Sequence, residues 1–448
     1  MAARRSLRRV AGWGTELEDV TAAEYRQLRL ERVVLVGVGA AGQTEAEVDQ
    51  SLAELRRLAE TAGCLVLAGL AQRRARPDPA TFIGRGKTEE LGRMVQAEGA
   101  DTVICDGELS PAQLRNLEDR IQVKVIDRTA LILDIFAQHA KSVEGQAQVE
   151  LAQLEYLRQR LRGWGGNLSR QVGGRSASGA GIGGRGPGET KLETDRRRLA
   201  SRVVRLKASL RQLQGTRQLR RQERVRQAVP SVALVGYTNT GKSSLLNRLT
   251  GAGVLVDDAL FATLDPTTRR SRTVDGRVFT LTDTVGFIRR LPHDLVEAFR
   301  STLEESVAAD LLLHVVDGAD ADPFGQIAAV RQVLASIAAD QRPELMVVNK
   351  IDLADPETLD QLRRRHPQAV FVSARSGAGL DQLRERLAAG LPRPRQRVES
   401  LIPYSRGDLI DQIHRRGELI ASQHGPQGSL VEAWVDDELA AQIAAALD

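Results

Sequence analysis

The stretch Gly236-Tyr237-Thr238-Asn239-Thr240-Gly241-Lys242-Ser243 fills every fixed place of the G-x-x-x-x-G-K-[ST] phosphate-binding pattern. An apolar run, residues 232–235, precedes it, and Ser244, Leu245, Leu246 and Leu249 follow at helical spacing. That strand–loop–helix setting gives the motif its specificity. Loop amides and the helix N-terminus then converge on one anion, and the segment reads as part of a P-loop α/β domain. Lys242 would reach the β- and γ-phosphates, and the Ser243 hydroxyl would ligate Mg²⁺.

The base is specified downstream. Residues 345–348 form a buried-strand run that ends in Asn349-Lys350-Ile351-Asp352. A carboxylate at Asp352 can accept from both N1–H and the exocyclic amine of guanine. Adenine would leave it unpaired, a difference that costs factors of about 10⁴ in selectivity. A second apolar run, 369–372, ends in Ser373-Ala374-Arg375, where a backbone N–H can meet the guanine O6. The implied substrate is GTP.

Two candidate switches lie between these motifs. In Asp283-Thr284-Val285-Gly286, Asp283 would hold Mg²⁺ through water, and Gly286 lets its N–H approach the γ-phosphate. Upstream, Phe261-Ala262-Thr263-Leu264-Asp265-Pro266-Thr267-Thr268 offers a threonine to complete the Mg²⁺ shell. Thr263 is the favoured candidate, with Thr267 and Thr268 as alternatives. Such loops, fastened by γ-phosphate and metal and released on hydrolysis, make a GTPase switch. The catalytic set is therefore Lys242, Thr263 and Gly286. The residue after Gly286 is Phe287, where small signalling GTPases carry a water-orienting glutamine. A phenyl ring cannot polarise water, so intrinsic hydrolysis should be slow unless a partner, RNA among the candidates, supplies or orders the missing group. Asn239 leaves two readings open: a residue suited to the turn, or part of a site where K⁺ acts as a charge-stabilising element.

At 448 residues the chain is too long for one core. The reading is an α/β multidomain protein. Residues 1–29 form a disordered basic extension, 30–142 an N-terminal α/β domain and 143–228 a helical hairpin with a glycine-rich basic loop at 163–188. Residues 230–391 form the P-loop GTPase domain, and 397–448 a small C-terminal α+β domain. No run approaches the ~18 apolar residues of a membrane helix, so a cytoplasmic location is expected, with peripheral membrane association left open. Cys64 and Cys105 look like small buried hydrophobes, and the six histidines are scattered without ligand spacing. In the N-terminal domain, Gly37-Val38-Gly39-Ala40-Ala41-Gly42 matches a dinucleotide fingerprint formally. The next strand ends in Ala68-Gly69-Leu70 without the ribose-binding acid, so a tight turn is the better reading. Gly84-Arg85-Gly86-Lys87 reads as an exposed loop able to meet a phosphate backbone.

The hairpin carries the charge. Ala147, Leu151, Leu154 and Leu161 share one helical face, as do Leu192, Leu199, Val203, Leu206, Leu210 and Leu213. From Arg158 to Arg226 there are nineteen basic residues against four acids, which the chain's net charge of +5 conceals. Like charges so densely placed repel one another unless a polyanion neutralises them. Only Trp164 is aromatic within the loop, which favours backbone or shape recognition of structured RNA over base stacking.

These motifs, joined by Asp106-Gly107-Glu108-Leu109-Ser110-Pro111, Val125-Ile126-Asp127-Arg128-Thr129 and Gly186-Pro187-Gly188-Glu189-Thr190-Lys191, resemble the HflX-type GTPases over nearly the whole chain. The resemblance implies a ribosome-associated GTPase that binds the large (50S) subunit and splits stalled or stressed ribosomes; a monomer is expected. Its basic hairpin and glycine loop would reach ribosomal RNA near the peptidyl-transferase region. A hydrophobic residue after Gly286 is shared by that family. Two other classes stay open: an RNA-remodelling enzyme driven by GTP or ATP, and a regulatory binding module for a membrane or protease complex.

Overall fold

The computed structural model describes residues 32–161, 187–226, 229–251, 253, 260–289, 295, 300–392 and 396–445. The chain divides into two units, residues 1–207 and 208–448. The basic extension and nearly all of the glycine-rich loop lie outside the described residues.

The first unit holds four parallel strands, β1 (Arg32–Gly39), β2 (Leu65–Arg73), β3 (Thr102–Cys105) and β4 (Lys124–Asp127), in the order β2-β1-β3-β4. Val33, Val34, Leu35 and Val36 are all buried, as a central parallel strand covered on both faces requires. Helix α1 (Glu45–Thr61) starts at a capping box made by Thr44 and Glu47. Helix α2 (Arg85–Glu98) begins inside the stretch read as an exposed loop. Gly84 is its N-cap and accepts from the Thr88 amide at 2.9 Å, so Gly84-Arg85-Gly86-Lys87 is a cap and first turn, not an open loop. Glu89 and Glu90 pair with Arg85 and Lys87, which supports a helix start that two glycines would otherwise weaken.

Helix α3 (Pro111–Ile121) opens on a second capping box, Ser110 with Gln113, and has Pro111 in its first turn. Helix α4 (Arg128–His139) follows β4 directly, with Asp127 as its N-cap. Here the unit buries charge. The Arg128 guanidinium, 3% exposed, meets Glu54 at 2.9 Å and Asp106 at 2.8 Å, and Asp106 also accepts from the Ser51 hydroxyl. The Asp127 carboxylate accepts from the Leu109 and Ala130 amides, from Tyr156 Oη at 2.7 Å and from Arg160 at 2.6 Å. Tyr156 and Arg160 belong to helix α5 (Val143–Leu161). Helix α6 (Pro187–Arg226) is joined to α5 by the pairs Arg202–Glu150 and Lys207–Glu155, with Val203 and Leu206 buried. Both cysteines are free and buried, and burial pushes the Cys64 thiol up to about 12.

The second unit contains a six-stranded sheet in the order β10-β9-β8-β5-β7-β6. Its strands are β5 (Ser231–Gly236), β6 (Thr267–Arg272), β7 (Val278–Asp283), β8 (Leu311–Asp317), β9 (Glu344–Asn349) and β10 (Val370–Phe371). Only β6, at the edge, is antiparallel. Val232, Leu234, Leu281, Leu313, Val315 and Val347 fill its core beneath helices α7 (Lys242–Thr250) and α11 (Leu380–Gly390). On the way lie α8 (Arg300–Ala308), α9 (Pro323–Ser336) and α10 (Pro356–Arg365). A separate antiparallel sheet, β11 (Gln396–Ile402), β13 (Gly428–Val435) and β12 (Glu418–Gly425) in that spatial order, carries α12 (Gly407–Arg416) and α13 (Asp437–Ala445). Val431, Ala433 and Val435 alternate into their common core with Leu409, Ile413 and Leu439. No helix among the described residues is long and apolar enough to cross a membrane.

Candidate nucleotide site

The site forms at the carboxyl ends of β5, β7, β8 and β9, where parallel strands deliver loops to one edge of the sheet. The phosphate loop leaves β5 and turns into α7 at Gly241, whose φ of 86° lies in the left-handed region open to glycine. Asn239 also has a positive φ, 59°. Asparagine tolerates that conformation, as the turn reading expects. Comparing turnover in K⁺ and in Na⁺ separates this account from a monovalent-cation role.

Lys242 is buried, and its ammonium donates to the carbonyls of Tyr237 at 2.7 Å and Gly236 at 3.3 Å. Burial pushes its pKa down to about 8, against the pull of Asp283 and with a further push from Lys350. Ser243 Oγ lies 3.0 Å from Thr263 Oγ1 and 2.5 Å from Asp283 Oδ2, and Thr263 Oγ1 lies 3.2 Å from the same carboxylate oxygen. Three oxygens from three distant segments therefore meet at one point. Thr267 and Thr268 open β6, where Thr267 lies opposite Asp283 in the ladder and Thr268 Oγ1 meets Thr282 Oγ1; neither hydroxyl is bonded to Ser243 or Asp283 in this arrangement.

Burial raises the Asp283 pKa, opposed by Lys242 and by hydrogen bonds from Ser243 and Thr263. Its Oδ1 is buried and has no hydrogen-bond partner. An orphaned carboxylate oxygen beside two hydroxyls is a hard donor set that suits Mg²⁺, which is held by few protein ligands plus phosphates and water. No cluster of three or more His, Cys, Asp or Glu that could hold a metal occurs among the described residues.

Gly286 presses close to the phosphate loop. A Cβ there would lie 2.8 Å from Thr238 Cα and 3.0 Å from Lys242 Nζ, so only glycine allows the approach. Phe287 is 1% exposed and sits in the core. On the opposite flank, Asn349 donates to the Thr240 carbonyl and accepts from the Ala374 amide, both at 2.9 Å. Lys350, at a φ of 60°, pairs with Asp317 at 2.7 Å, and Asp352 is exposed one turn further on. Ser373 is buried and accepts from the Ser376 amide. Tyr237, Thr238, Thr240, Phe261, Leu264, Thr284 and Val285 are buried around this arrangement, with Ala262, Asp265 and Ile351 half-buried and Arg375 exposed. Sequence reasoning passed over Arg248 of α7, which donates to the carbonyls of Ala374 and Arg375 at 2.8 and 2.6 Å. It also passed over Arg289, whose amide donates to Tyr237 Oη at 2.7 Å. Neither residue sits in a motif, and no local spacing marks them.

Three family profiles match the chain in succession: "GTP-binding GTPase N-terminal" over residues 49–137, "GTP-binding GTPase Middle Region" over 139–224, and "50S ribosome-binding GTPase" over 231–350. Among curated relatives, the GTPase HflX of Caldanaerobacter subterraneus subsp. tengcongensis is 46% identical over 409 residues, covering 91% of this chain and 92% of that one. The GTPase HflX of Escherichia coli K12 is 49% identical over 345 residues, covering 76% of this chain and 79% of that one. Among solved structures, the chain is similar to that of a complex of SsGBP with GDP, at 24% identity, 80% and 98% coverage, and a TM-score of 0.45. The phosphate-loop motif and the converging oxygens of Ser243, Thr263 and Asp283 thus occur together in a GTP-hydrolysing enzyme, and the chain belongs to the HflX family of GTPases.

Proposed function

We propose that this GTPase binds the large ribosomal subunit in its GTP form and acts as a ribosome-splitting or rescue factor under stress, with hydrolysis stimulated by the ribosome. The observation that carries this reading is the exposed basic helix α6, where Arg196, Arg197 and Arg198 face solvent within the region matching the GTPase middle profile. A G-domain profile described as ribosome-binding supports it. RNA is the polyanion that would neutralise such a surface. The protein works as a cytoplasmic monomer, and its hairpin and glycine-rich loop are the parts that reach ribosomal RNA.

In this reading Ser243 and Thr263 would hold Mg²⁺, with Asp283 acting through water, and the metal would supply charge neutralisation on the β- and γ-phosphates. Lys242 binds the same phosphates, and Gly286 offers its amide to the γ-phosphate. The contacts of Thr263 with the metal and of the Gly286 amide with the γ-phosphate exist only while that phosphate is present, so hydrolysis removes both and lowers affinity for the subunit. Reciprocity follows: GTP tightens subunit binding by the factor with which the subunit tightens GTP binding. Phe287 remains in the core, which leaves the attacking water to be ordered from outside.

The test measures GTP hydrolysis with and without 50S subunits, beside co-sedimentation in a non-hydrolysable GTP analogue and in GDP. Stimulation together with analogue-dependent pelleting is expected. Hydrolysis indifferent to subunits, with equal pelleting in both nucleotides, would overturn the ribosomal reading and leave the GTP site standing.

A further inference from the structure

The segment that follows Gly286 is bonded to the phosphate loop at three successive places. The Phe287 amide donates to the Gly236 carbonyl at 3.0 Å, the Thr238 amide donates to the Phe287 carbonyl at 2.8 Å, and the Arg289 amide donates to Tyr237 Oη at 2.7 Å. The first two make a parallel bridge between Tyr237 and Phe287, so the second switch is stitched to the loop as a short strand would be. The Arg289 guanidinium then pairs with Asp322. Asp322 is the N-cap of α9, where its Oδ1 accepts from the Gly325 amide at 2.9 Å. Helix α9 buries Ile327, Val330 and Leu334, so Asp322 is fixed to the frame of the domain and not to a loop.

We infer that Arg289 and Asp322 are positioning residues that hold Gly286 at the γ-phosphate, so that discrimination of GTP from GDP depends on an ion pair lying outside every nucleotide motif. Gly286 has no side chain with which to anchor itself. Its amide is placed by what holds its neighbours, and the nearest anchors on the C-terminal side are Phe287 through the bridge and Arg289 through Tyr237 and Asp322. A γ-phosphate gains from an amide already in place, since the ordering cost is met before binding. GDP lacks that phosphate and gains nothing from it. Loosening the pair therefore weakens GTP binding selectively.

The test uses the full chain with Mg²⁺ and compares affinities for GDP and a non-hydrolysable GTP analogue in Asp322→Asn and Arg289→Gln. Asparagine keeps an oxygen for the Gly325 amide and so preserves the helix cap while removing the charge. Each variant is expected to lose about five-fold in analogue affinity, the upper range for a partly exposed pair, with GDP affinity unchanged. The double variant should lose no more than either single one, because the two side chains act as one unit. Parallel losses for both nucleotides, no loss for either, or additive losses in the double variant would each overturn the inference. If Asp322→Asn fails to fold, Arg289→Gln leaves the cap untouched and carries the same comparison.

Discussion

Asn349 joins Thr240 to Ala374: one side-chain amide ties the phosphate loop to the segment that would face the guanine, through two bonds of 2.9 Å. Both bonds are buried, and neither requires a γ-phosphate. Asn349→Ala should therefore weaken GDP and GTP together. Two buried hydrogen bonds at about 1 kcal/mol each correspond to roughly thirty-fold in affinity. Titration with fluorescent GDP and GTP analogues checks this, and a loss confined to one nucleotide would contradict it.

Asp352 is exposed beyond β9, and the guanine reading assigns its two oxygens to the base. Replacing it with asparagine exchanges one acceptor for a donor. Guanine, which offers two donors to this residue, should bind about 10²-fold more weakly or worse. Xanthine, with a carbonyl in place of the amine, should bind better to the variant than to the wild type. Competition with XTP reads the reversal directly.

Glu344 opens β9 and accepts from His314 at 2.9 Å and from Arg331 at 3.1 Å. Burial works against its charge, yet hydrogen bonds and charge from His314 and Arg331 outweigh it and hold the carboxyl at about 2, below its ordinary 4.5. A depressed carboxylate stabilises the fold above its unfolded pKa, and that contribution is lost as pH falls from about 4.5 toward 2. The side chain is a quarter exposed, so solvent screening reduces the contribution to roughly 1 to 2 kcal/mol. In urea unfolding, Glu344→Gln should be less stable by that amount at pH 7, and the gap should close on acidification. A constant gap from pH 7 to pH 3 would refute the assignment.

Arg196, Arg197 and Arg198 lie exposed and consecutive on α6. Reversing all three charges should weaken co-sedimentation with 50S subunits and flatten its dependence on salt, each phosphate contact adding about 0.7 to 0.9 to the logarithmic slope. Hydrolysis without ribosomes should not change, since these residues belong to no nucleotide motif. Unaltered binding at every salt concentration would remove this stretch from the interface.

The convergence of Ser243, Thr263 and Asp283 and the close approach of Gly286 to the phosphate loop were legible because they are written in contiguous runs. A phosphate loop needs its glycines and lysine at set offsets, and the Asn-Lys-x-Asp pattern sets Asn349 and Asp352 three apart. The bonds that hold those runs together were not legible. Arg289 meets Tyr237 across 52 positions, and Asn349 meets Thr240 across 109. No periodicity reports such a pairing. The start of α2 was misread for a local reason: Gly84 and Gly86 signal a loop by composition, while Glu89 and Glu90 stabilise the turn that contains Arg85 and Lys87. The stretches around Asp106 and Asp127, which resemble the family most specifically, belong to a buried ion network of the first unit.

That network limits where the hairpin can bend. Asp127 is 1% exposed and draws two of its donors, Tyr156 and Arg160, from the last two turns of α5. Swinging α5 away at its root near Val143 would strand a charged carboxylate in the interior, a far costlier state than a frayed helix end. Bending at the root of α5 is therefore disfavoured, and in hydrogen exchange the backbone amides of α5 should open in one event with those of Leu109 and Ala130.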